Sequence, residues 1–159
     1  MSLSAVQLWL KGQLTGTAGP DFGPTQVEVA PPQSLPLDNP ALYIWGSRFR
    51  ESRRTLGRPS AKKKVDYDVY LWLKAQFPAG DPREDVAFPL LMETIMATLR
   101  TGPGINTPIV DPDTLTTSYL MEVGEEFQVD YPGPTDIENE SYRLYEAQII
   151  VTCEEDRTG

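Results

Sequence analysis

Histidine is missing from all 159 residues, and cysteine occurs once, as Cys153. The first absence removes the commonest general base, the Ser-His and Cys-His nucleophile pairs and the commonest transition-metal ligand. The second excludes an intramolecular disulfide, so nothing points to an oxidising compartment, and Cys153 reads as a small apolar residue in a strand. No charged-then-apolar leader is seen, and no apolar run approaches the roughly 18 residues that span a bilayer, so a soluble chain with no membrane partner is expected. A glycine-rich phosphate loop, paired metal-ligand spacing and a nucleophile elbow are also missing. No catalytic residue, cofactor site or metal site is therefore assigned.

Positive charge is scarce outside one segment. The chain carries a formal charge of −9, yet residues 48–64 hold Arg48, Arg50, Arg53, Arg54, Arg58, Lys62, Lys63 and Lys64 against Glu51 alone. That segment is +7, which leaves −16 for the rest of the chain. A cationic arm is attached to an anionic body.

The length suits one domain over residues 1–159, large enough to bury a core without disulfides or metals. Residues 64–74 organise it: Val65, Tyr67, Val69, Leu71 and Leu73 share one parity, while Asp66, Asp68, Tyr70, Trp72 and Lys74 share the other. This period of two predicts a central strand with one buried face and pairing partners on both edges. Upstream, Val6, Trp9, Leu10 and Leu14 predict a short helix after Ser4, ending near Gly16, and residues 26–30 predict a brief strand. Pro31, Pro32, Pro36 and Pro40 mark a rigid connection, and residues 41–45 a second strand. Strand, polar arm and strand outline a hairpin whose arm, residues 48–64 with Gly57 and Pro59, is expected to be mobile.

Downstream, Asp81, Pro82 and Glu84 resemble a capping box, and Phe88, Leu91, Met92, Ile95 and Leu99 predict the main helix, over 88–100. Pro89 is expected to start that helix or kink it, and residues 102–104 to stop it. Residues 105–117 read as a connection, and 119–123 and 126–131 as a hairpin about Gly124-Glu125. A polar loop over 132–141 and a half-buried strand over 142–152 complete an α+β fold: an antiparallel or mixed sheet packed against one main helix, with a short N-terminal helix. Asp66 and Asp68 are expected on a solvated face, as are the loop acids Asp111, Asp113, Glu125 and Glu126. Trp45, Tyr70 and Trp72 occupy the polar parity, which calls either for a covering helix or for an interface.

The order of these elements resembles that of the tail-terminator, or tail-completion, proteins of long-tailed bacteriophages. The resemblance is carried by the N-terminal helix, the run Leu35-Pro36-Leu37-Asp38-Asn39-Pro40-Ala41-Leu42-Tyr43-Ile44, the arginine-rich arm, the strand at 64–73, the helix opening Ala87-Phe88-Pro89-Leu90-Leu91-Met92 and the closing Tyr145-Glu146-Ala147-Gln148-Ile149. It implies a structural virion protein, not an enzyme, whose subunits close into a hexameric ring. The ring would cap the tail tube at its head-proximal end, terminate polymerisation and offer the head-attachment surface. The implied partners are further copies of the chain, the tail-tube protein and a head-tail connector or neck protein, with assembly in the host cytoplasm. DNA would pass through without specific binding, which suits an anionic body.

Partner contacts are expected at Arg48, Arg50, Arg53, Arg54, Arg58, Lys62, Lys63, Lys64, Trp45, Tyr70 and Trp72. The arm would reach an acidic surface on a neighbour; a solvated loop and direct nucleic-acid binding are the other readings of its charge. For the whole chain the alternatives are another connector, neck or tube component, or a small hydrolase using its acids.

Overall fold

The computed structural model describes residues 3–32, 39–53, 62–101, 107–110, 117–123, 128–136 and 141–158. Among these lie two helices, α1 (Leu3–Leu14) and α2 (Glu84–Thr101). Eight strands accompany them: β1 (Gln26–Glu28), β2 (Ala41–Arg53), β3 (Lys62–Pro78), β4 (Thr107–Val110), β5 (Thr117–Val123), β6 (Gln128–Asp130), β7 (Thr135–Asp136) and β8 (Tyr142–Thr158). The strand order is β1-β2-β3-β8-β5-β4, with β6 and β7 also on β8. β1 runs parallel to β2 and the other pairs are antiparallel, so the sheet is mixed and the fold is α+β.

β3 is central, as its alternation requires. Its full length pairs with β8, from Lys62↔Thr158 to Pro78↔Tyr142, and its other edge pairs with β2. The odd-numbered side chains Val65, Tyr67, Val69, Leu71 and Leu73 are buried, and so are Tyr145, Ala147, Ile149, Val151 and Cys153 beside them on β8. Both helices close this face. α1 buries Ala5, Val6, Leu10 and Leu14, and α2 buries Ala87, Phe88, Leu91, Met92, Ile95 and Leu99, at the three- and four-residue spacing of an amphipathic helix. Phe88 packs its ring 5.3 Å from Tyr131 and 5.5 Å from Tyr145, joining α2 to the sheet. After α1, Gly16 adopts φ +83°, the left-handed conformation that ends helices, and its N–H donates to Thr25 O.

The structure corrects several expectations. The arm begins later than its charges suggest: residues 48–53 continue β2 and residues 62–64 open β3, paired through Arg53↔Lys63. Pro89 does not start α2, which begins five residues earlier at Glu84; it lies in the second turn, where a proline forfeits one early helical bond. The cap is displaced from a capping box. Asp81 Oδ1 accepts from Arg83 N–H at 2.8 Å, and Glu84 Oε2 reaches back to Gly80 N–H at 2.9 Å. β5 and β6 do not form a hairpin with each other. β5, β6 and β7 each pair with β8 instead, at Cys153–Glu155, Gln148–Ile150 and Arg143–Leu144. Residues 107–110, read as a connection, form edge strand β4, and 135–136, read as loop, form β7. The expectations for 102–104, Asp111, Asp113, Gly124-Glu125, Glu126, Gly57 and Pro59 lie outside the described residues.

Candidate interaction face

The helices occupy one side of the sheet, and the even-numbered side chains of β3 face the other. There the register sets Tyr43 opposite Trp72, Arg48 opposite Asp68 and Arg50 opposite Asp66; on β8 it sets Thr152 opposite Asp68 and Gln148 opposite Trp72. No helix among the described residues covers this face.

A bulge shapes the aromatic part. Between Ile44↔Leu71 and Ser47↔Val69, the two residues Trp45 and Gly46 oppose the single residue Tyr70. Gly46 has φ +83°, and a Cβ there would meet Tyr70 Cδ2 at 3.0 Å, so glycine serves both the turn of the backbone and the close approach of the ring. Trp72 Nε1–H donates to the carbonyl of Trp45 at 2.8 Å, which holds the bulged backbone. Trp45 is left 47% exposed, while Tyr70 and Trp72 are half-buried. A shallow cleft of about 250 Å³ adjoins Trp72, lined by Pro32, Lys74, Asp130, Pro132 and Gln148.

The charged part contradicts the solvated reading of Asp68. That carboxylate is buried, and both its oxygens are engaged: Oδ1 accepts from Thr152 Oγ1 at 2.7 Å and Oδ2 from Arg48 Nε at 2.8 Å. Arg50 lies 3.8 Å from Asp68 and 3.7 Å from Asp66. Burial alone would raise the Asp68 pKa, but the Thr152 and Arg48 hydrogen bonds and the Arg50 charge outweigh it and hold the carboxyl below its ordinary value. Asp68 is a cross-strand tie joining β2, β3 and β8. A second polar cavity, about 240 Å³, opens between Arg48, Arg50, Thr152 and Gln128.

Of the predicted partner residues, the face therefore gathers Trp45, Tyr70, Trp72, Arg48 and Arg50. Arg53, Lys62, Lys63 and Lys64 are placed at the far end of the β2–β3 ladder, and Arg54 and Arg58 lie outside the described residues. Sequence reasoning missed Gly46, Thr152 and Gln128. A lone glycine after a strand-like run is a bulge signal and could have exposed the first; the other two become visible only through the β8 register. Among the described residues no group of three or more His, Cys, Asp or Glu could hold a metal ion, and no helix is long and apolar enough to cross a membrane.

A scan against protein-family models finds no match, and a search of curated proteins finds no significant one.

Proposed function

We propose that this chain is a structural virion protein of the tail-terminator kind. Six copies form a ring on the last ring of a phage tail tube, stop its growth and present the surface that receives the head. The observation that carries the reading is the one-sided layering: helices fill one face of a long-stranded sheet, while the other carries an exposed tryptophan beside charged ladders. Such a face suits a subunit that completes its burial in an assembly. The order of elements resembling tail terminators supports the same reading, and the −9 charge suits a channel wall that does not grip passing phosphates.

The test is electron microscopy of assembled particles with this chain labelled. A ring at the head-proximal end of the tail is expected. Finding no copy there would overturn the proposal, and growth of the purified protein into tubes would make it a tube subunit instead.

A further inference from the structure

We infer that the sheet face around Trp45 docks on the outer face of α2 of a second copy, in a head-to-tail contact. This deepens the ring reading and rests on it for closure, though not for the contact itself.

The two patches are chemically complementary. On α2 the inner face is filled, yet Val86 is 51% exposed and Leu90 37%; they are one turn apart, flanked by the exposed carboxylates Asp85 and Glu93. On the sheet, the 47% exposed Trp45 stands on a braced bulge beside Arg48 and Arg50, whose side chains are 63% and 60% exposed. Tryptophan and arginine are the residue types that most often anchor interfaces, and here they meet two aliphatics and two acids. Asp68 accepts a hydrogen bond from Arg48 at 2.8 Å, so less freedom of that side chain is lost on docking.

Symmetry then follows from position. α2 packs on one side of the sheet and Trp45 stands on the other, so the patches point away from each other. A two-fold pair would bring each patch only against its own copy and would leave Trp45 and α2 unjoined. The contact is therefore heterologous and propagates until a ring closes.

Two exposed substitutions test it, Trp45→Glu and Leu90→Glu, with Val86→Glu in reserve should Leu90→Glu unfold. Each variant keeps one patch intact. Sedimentation of the full chain up to about 1 mM, the weak limit of specific affinity, should show association of the unaltered protein and at least tenfold weaker association of each variant alone. Mixed one to one, Trp45→Glu and Leu90→Glu should form a heterodimer and stop, because the one intact contact cannot propagate. The contact is wrong if the unaltered protein stays monomeric throughout, if either variant associates as well as it does, or if the mixture stays monomeric. Rings that persist in both variants overturn this contact and leave the ring reading standing; open filaments of the unaltered protein uphold the contact and overturn the ring.

Discussion

Thr152 donates its hydroxyl to Asp68 Oδ1 at 2.7 Å, across the ladder that joins the central strand to the last one. The bond satisfies a buried carboxylate from the side opposite Arg48, so Thr152→Val removes a donor while nearly preserving shape. It should cost about 1–3 kcal/mol, the range for leaving a buried polar group unsatisfied. Urea unfolding measures it, and a variant as stable as the parent would reduce the tie to decoration.

The same carboxylate sets an acid limit. Because the folded pKa of Asp68 lies below its ordinary value of 3.8, the unfolded chain binds its proton first as pH falls. The stability it contributes is therefore present above about pH 3.8 and is lost as pH drops through the folded value. Thr152→Val should move that loss to higher pH, as read by carboxyl NMR titration and acid unfolding.

Two glycines should respond oppositely to alanine. Gly46→Ala places a Cβ at φ +83° and 3.0 Å from the Tyr70 ring, so it should destabilise by about 1–2 kcal/mol from the backbone alone. Gly12 lies inside α1 with nothing within 4 Å of an added Cβ, and Gly12→Ala should stabilise by about 0.5–1 kcal/mol. Thermal unfolding of the pair checks both signs.

Leu71 and Ile95 are both fully buried between sheet and α2, and truncating either to alanine should cost about 2–5 kcal/mol. Their burial was legible in the sequence because period two and period 3.6 each select one face without knowledge of the fold. The extension of β2 through Arg48 and Arg50 was not. In the sequence the arginines form a block apart from Asp66 and Asp68, and only the register shows that they oppose each other and form a paired strand. Pro108 hid β4 similarly, since proline is tolerated on an edge strand, and β4 pairs only with β5 among the described residues. The supposed 119–131 hairpin failed because β8 offers each segment a longer partner, a nonlocal choice that turn residues do not announce.

Cys153 is buried on the core face, and burial, helped by the Asp68 charge, pushes its thiol pKa up to about 12. The folded protein should therefore be inert to a thiol reagent at pH 8 and react with one equivalent once unfolded. Rapid labelling of the native protein would contradict the packing of β8 against β3.

The last prediction concerns the cationic arm. Arg50 is ion-paired with Asp66 and Asp68, so a fair test of docking leaves it in place and replaces Arg53, Arg54 and Arg58 with serine. If the arm meets an acidic surface in the assembled tail, the unfolding temperature should hardly move, because replacing a charged side chain with serine removes little apolar burial. Attachment should still fail. Exposed ion pairs are worth about 0–1 kcal/mol each, so one substitution can be silent while three together remove up to about 3 kcal/mol, more than a hundredfold in affinity. Salt should mimic the loss, since the Debye length falls from about 10 Å at 0.1 M to about 3 Å at 1 M. A triple variant that still yields tails of normal length joined to heads would leave the arm a solvated loop, whereas one that loses DNA retention but not assembly would assign its charge to nucleic acid.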